Sequence, residues 1–210
     1  SELDFFKNSL HSTIDLHYLP FGVDSDFWTP ISNIESENNS YILSIGNDSN
    51  RDYHTLISAW KDSYPQLKIV TKLPISAENR NIEIIAGDWR EQLISDKKIL
   101  ELIQNSMFVI IPINPTLQPS GQSVCLQSMS CSKAVIISNI EGIWDKELLI
   151  KDKNIKLSPC NDVTVLSRDI EYFLSHPDYV KALGKEANKT VKENFRIELM
   201  ANSLKKYIFL

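Results

Sequence analysis

Glycine is scarce in this sequence. The 210 residues include 6 glycines, about 3% where globular proteins average about 7%. Collagen-like and low-complexity architectures are thereby excluded, and each glycine present is expected where the backbone needs one. Concentrated positive charge is also missing. Lys and Arg number 22 against 27 Asp and Glu, for a net charge of −5. The most basic stretch, residues 181–206, is interrupted by Glu186, Glu193 and Glu198 and reads as a solvated helix face. Nucleic acid is therefore not an expected partner, because counterion release needs clustered cations. No apolar run approaches the roughly 20 residues of a membrane span. The longest, residues 107–113, is strand-sized and contains Pro112. The acidic opening Ser1-Glu2-Leu3-Asp4 is not a secretory signal. It also lacks an initiator Met, so a longer parent chain is expected. Cysteine is limited to Cys125, Cys131 and Cys160, with no zinc spacing. Reduced, buried or half-buried thiols are expected. His11, His17, His54 and His176 lie far from them in sequence, which gives no support to a Cys–His nucleophile.

What is present is an alternation of short apolar runs with helical patterns. Strands are expected at 41–45, 67–70, 81–86, 107–113, 134–138 and 155–158. Helices are expected at 52–64, 96–105, 121–130, 163–174, 177–194 and 197–207. In the first helix Tyr53, Leu56, Ile57 and Trp60 recur at helical spacing, and Pro65 follows. Residues 1–18 read as a lead-in with weak helical character, and 31–40 as a polar loop. The order predicts a Rossmann-like, three-layer α/β/α fold with a mostly parallel sheet of about six strands and a helical C-terminal tail. Ligands of such sheets bind beyond the carboxyl ends of the strands.

Two loops on that edge could carry chemistry. The first is Gly46-Asn47-Asp48-Ser49-Asn50-Arg51-Asp52. A strand-end glycine, small polar residues and a helix start can host an anion, with Arg51 adding charge. Taken alone, the pattern favours a plainer alternative, a turn in which Asp52 caps the helix and Arg51 is solvated. The second loop, Pro119-Ser120-Gly121-Gln122-Ser123, opens a helix whose N-terminus could likewise take an anion. There Ser120 or Ser123 could simply be a cap. Gln127 lies about two turns into that helix and could face either a ligand hydroxyl or solvent. Leu126 and Met129 read as core. Trp89 and Trp144 sit at strand-end loops, where packing is the first expectation and stacking on a base or sugar the second.

The run Leu126-Gln127-Ser128-Met129-Ser130-Cys131-Ser132-Lys133-Ala134-Val135-Ile136 resembles the "LEAMACGKPVI" segment of retaining GT-B glycosyltransferases, which use nucleotide-sugar donors. Leu19-Pro20-Phe21-Gly22-Val23-Asp24, with Phe27 and Pro30, is similar to their "PNGVD...F.P" interdomain segment. Ser44-Ile45-Gly46 followed by Arg51-Asp52-Tyr53 and Ala59 looks like their first strand, phosphate loop and helix. The segment from Asn105 to Pro112 resembles the strand leading to their donor-sugar loop. The resemblance covers residues 19–210 in the right order.

This resemblance implies two domains in the whole enzyme, of which this chain is the C-terminal, donor-binding one. Residues 1–39 would be the interdomain connector and lead-in, and 40–210 the nucleotide-sugar-binding domain. The N-terminal acceptor domain would be absent, and the isolated chain inactive. The expected ligand is a nucleoside-diphosphate sugar, bound as substrate, with no cofactor and no metal. Donor contacts are expected from Gly46, Asn47, Arg51, Gly87, Trp89, Ser120, Gly121, Gln122, Ser123 and Gln127. Asn47 stands where the family usually has Arg, which leaves Arg51 as the surviving charge. The family's Glu-x7-Glu pair falls on Pro119 and Gln127, so only an amide remains to meet the ribose. The family's base-binding segment corresponds to residues 85–89. A cytoplasmic location is expected, with peripheral membrane association of the full-length protein and a role in polysaccharide synthesis. Alternatives are an epimerase-like protein of the same fold and a degenerate, non-catalytic interaction domain.

Overall fold

In the computed structural model, which describes residues 6, 16–31, 41–87 and 94–208, the apolar runs become strands of one sheet. They are β1 (Tyr41–Ile45), β2 (Gln66–Thr71), β3 (Ile82–Ala86), β4 (Ser106–Ile111), β5 (Val135–Ser138) and β6 (Lys156–Ser158). The order is β3-β2-β1-β4-β5-β6, and every pairing is parallel. Between and after them lie α1 (Tyr53–Ser58), α2 (Asp96–Gln104), α3 (Gln122–Ser130), α4 (Val163–Ser175), α5 (Pro177–Asn194) and α6 (Ile197–Ile208).

Strand periodicity builds the three layers. Successive strand side chains point to opposite faces of the sheet. Leu43 and Ile45, Val109 and Ile111, and Val135 and Ile137 join one core with α2 and α3. Ile42, Phe108, Ile110 and Ile136 join the other core with α1 and α4. Helix α5 reaches both, through Ala187 and Val191 on one side and Leu183 on the other. Burial on both faces explains why these strands read as continuous apolar runs.

Two local expectations are corrected and one is completed. The helix predicted to run from Asp52 to Tyr64 stops at Ser58. Trp60 keeps the burial that its spacing suggested, but does so from beyond the helix, in edge-to-face contact at 5.5 Å with Tyr64, which is also buried. The helix expected to begin at 96 is capped by Ser95, just outside it, which accepts from the Lys98 N–H at 3.2 Å. Gly121 precedes α3 as its N-cap instead of lying within it.

The segment 19–30 is stitched to the C-terminal half. Val23 exchanges backbone hydrogen bonds with Phe195 and Ile197, at 2.8 and 3.0 Å. Trp28 is buried, and its carbonyl accepts from Ser130 Oγ at 2.6 Å. Of the lead-in expected at 1–18 and the polar loop expected at 31–40, residues 1–5, 7–15 and 32–40 lie outside the described residues. No helix among the described residues is long and apolar enough to cross a membrane.

Candidate functional site at the switch point of the sheet

Strand order reverses between β1 and β4: β2 and β3 extend the sheet on one side, β5 and β6 on the other. The loops after β1 and β4 must therefore diverge and leave a crevice, the usual ligand position in open α/β sheets. Here the crevice is a cleft of about 610 Å³, lined by 47–51, Lys72 and 118–124.

Backbone pairing holds the two loops together. Arg51 bridges Ile113, the Asp52 N–H donates to the Pro112 carbonyl at 3.1 Å, and the Asn114 N–H donates to the Asn50 carbonyl at 2.8 Å. Asp52 also caps α1, accepting from the Thr55 N–H at 3.0 Å. Arg51 is not solvated, contrary to the plainer alternative. Its side chain is only 4% exposed. The guanidinium lies between two glycines. A Cβ on Gly46 would sit 1.9 Å from Arg51 Nε, and one on Gly121 would sit 3.1 Å from Arg51 Nη1. Two of the scarce glycines thus make room for a buried cation.

The electrostatics of that cation are unusual. Burial pushes the Arg51 guanidinium below its ordinary value, while Tyr53 and Asp48 oppose the shift. It nevertheless stays charged, because arginine does not lose its proton in proteins. Nη1 donates to Ser120 Oγ at 3.2 Å and lies 3.6 Å from Asp48 Oδ2. Ser120 in turn donates a hydrogen bond to Asp48 Oδ2. Arg51 Nε is buried and has no hydrogen-bond partner among the described residues. Beside it, the Tyr53 phenol, which donates to the Gly46 carbonyl at 2.9 Å, is pushed up to about 12 by burial.

The N-terminus of α3 opens on the same cleft. Gly121 takes φ +78°, a left-handed conformation suited to glycine. No side chain caps the helix, so neither Ser120 nor Ser123 serves as the cap considered above. The first N–H groups of a helix have no intrahelical partner and carry the positive end of its dipole. An uncapped helix start beside a buried guanidinium is suited to binding an anion with several oxygens.

The other expected residues distribute themselves as follows. Asn47 lines the cleft, but its amide clips three loops together. Nδ2 donates to the Gly87 carbonyl at 2.9 Å, and Oδ1 accepts from the Lys72 N–H at 2.7 Å. Gly87 is not among the residues lining the cleft and is tied to it only through this carbonyl. Gln127 faces an adjoining pocket of about 90 Å³, lined by Trp28, Ile45, Asp96, Ile99, Ser123 and Val124. Ser123 and Val124 belong to both spaces, so a ligand in the cleft can extend toward Gln127. Trp89 lies outside the described residues. Trp144 is buried, and Leu126 and Met129 are core. Cys125 and Cys131 are buried free thiols, and Cys160 is half-buried.

Asp48, Lys72 and Trp28 belong to these two spaces without having been singled out in the sequence. Asp48 had a local signal, since Asx residues readily accept from N–H groups two positions on, as Asp48 does from Asn50 at 2.7 Å. Trp28 had none, because it arrives from the connector through long-range packing.

No protein-family model and no curated protein matches the chain. Solved structures match it across most of its length. Sucrose-phosphate synthase from Thermosynechococcus elongatus superposes with a TM-score of 0.78 at 16% identity, covering 97% of this chain and 55% of the synthase. The C-terminal domain of a glycosyl transferase group 1 family protein from Francisella tularensis gives 0.66 at 15% identity, covering 84% of this chain and 100% of that domain. This is the fold of a glycosyltransferase C-terminal domain. The glycosyltransferase-domain fold also matches Anabaena HepE, solved in complex with UDP and glucose, at TM-score 0.71 and 14% identity. The chain spans 55% of HepE, so it is about half the length of both this protein and the synthase.

Proposed function

We propose that this chain is the nucleotide-sugar-binding half of a retaining glycosyltransferase, with the diphosphate of the donor seated between Arg51 and the N-terminus of α3. The observation that carries the reading is the coincidence of a buried guanidinium and an uncapped helix start in one cleft at the switch point of the sheet. Sugar transfer from such a donor releases a nucleoside diphosphate, and negative charge builds on its oxygens as the glycosidic bond breaks. Donors already fixed in place stabilise that charge without reorganising. Arg51 and the N–H groups of 122–124 supply such donors. Gln127, in the adjoining pocket, is placed to offer an amide to the ribose hydroxyls, with Trp28 and Ile99 as apolar walls. The complexes of HepE with UDP and with UDP-glucose support this ligand class.

The acceptor site, and the groups that complete the reaction, would belong to a second, N-terminal domain, joined through a connector that includes residues 1–39. The isolated chain then binds donor and transfers nothing. Isothermal titration with UDP, GDP and ADP tests the reading. One of the three should bind with a dissociation constant in the micromolar to millimolar range. Absence of heat with all three removes it.

A further inference from the structure

The cleft holds a carboxylate where a phosphate binder would be expected to hold none. Asp48 Oδ2 receives the Ser120 hydroxyl and lies 3.6 Å from Arg51 Nη1. Among the described residues it is the only carboxylate in an ion pair with Arg51. The two partners differ in freedom: the Arg51 side chain is 4% exposed and walled by two glycine backbones, while that of Asp48 is 41% exposed. Asp48 can swing into water. Arg51 cannot follow it.

On the reading of the cleft given above, we propose that Asp48 is a built-in substitute for the ligand's phosphate. In the empty protein its carboxylate neutralises the buried Arg51 and engages Ser120. An incoming diphosphate displaces it, and the Arg51 Nη1 and Ser120 hydroxyl donors pass from the carboxylate to phosphate oxygens. A buried charge left without its partner is destabilising, so Asp48 contributes to the stability of the empty domain. A negative charge that must be displaced from an anion site, and stays near it, also opposes the ligand, by an amount that grows with ligand charge. Asp48 is therefore a positioning residue that trades donor affinity for the stability of the unliganded state.

Two effects of opposite sign follow, which a purely structural role would not give. Asp48→Asn keeps the shape and still accepts from the Asn50 N–H, but removes the charge. The empty variant should melt several degrees lower than the wild type. Inorganic pyrophosphate and the bound nucleoside diphosphate should bind it about tenfold more tightly, a gain close to that expected for losing one nearby like charge, while the matching uncharged nucleoside binds unchanged. Asp48→Glu, which keeps the charge, should not show that gain. The experiment is calorimetry and thermal melting of the wild type and both variants against pyrophosphate, UDP, GDP, ADP and their nucleosides. If the wild type binds a diphosphate and Asp48→Asn binds it no more tightly, or gains equally for the nucleoside, the role of Asp48 is overturned and the cleft reading stands. If neither the wild type nor the variants bind any of these anions, the cleft reading itself fails.

Discussion

Adding one methyl group at Gly46 should dislodge a charge. A Cβ there would lie 1.9 Å from Arg51 Nε, 2.7 Å from Cζ and 2.8 Å from Cδ. These atoms belong to the buried stem and head of the side chain, which Gly121 confines from the other side, so the arginine has no cheap retreat. Overpacking of this kind costs about 1–3 kcal/mol. Gly46 does not have a positive φ, so backbone strain adds nothing. Its replacement by Ala would otherwise stabilise by about 0.4–1 kcal/mol through the unfolded chain. The sign of the effect therefore depends on Arg51. In the wild-type background Gly46→Ala should destabilise by the difference, up to about 2.5 kcal/mol, with a fall of about 2–4 °C in melting temperature per kcal/mol at this chain length. In an Arg51→Ala background the same change should be neutral or slightly stabilising. Urea denaturation of the four proteins of this cycle should give a coupling energy of about 1–3 kcal/mol. Equal destabilisation in both backgrounds would mean that something other than Arg51 occupies the space, and the description of the site would be wrong.

Further outcomes follow from the same geometry. Arg51→Ala should weaken nucleoside-diphosphate binding by tenfold or more, since a charge-assisted hydrogen bond contributes about 1.5–3 kcal/mol; calorimetry reads this directly. Asn47→Ala should cost about 1–3 kcal/mol in urea denaturation, because it removes the clip joining the Gly87 carbonyl to the Lys72 N–H. Gly184→Ala should destabilise α5 although alanine is the better helix former. The new Cβ would meet the Ser132 carbonyl oxygen at 2.2 Å, and thermal melting should show a net loss of up to about 2 kcal/mol.

The central strands β1, β4 and β5 were legible because they are buried on both faces and so form unbroken apolar runs, ended after β1 by Gly46 and after β4 by Pro112. Helix bounds were less so. Trp60 continues the apolar period of α1 from beyond the helix, and periodicity alone does not mark that end. The site was half legible. Gly46, Arg51 and the 120–123 loop could be named from strand-end position and residue type. The burial of Arg51 could not, because it depends on backbone pairing between the loop at 50–52 and that at 112–114, far apart in sequence. Asn47 shows the same limit in reverse. As a small polar loop residue it read as a ligand contact, and its amide is spent on backbone groups of two other loops. The glycine shortage proves informative in a narrower way than composition suggests, since Gly46 and Gly121 flank one arginine.

The most direct test of the central claim is a two-dimensional amide NMR titration with the nucleoside diphosphate that binds. Large shifts confined to the amides of Gly46, Asn47, Arg51 and 121–124, with smaller ones reaching Gln127, are the predicted result. Binding that leaves those amides unmoved and perturbs another surface would contradict it.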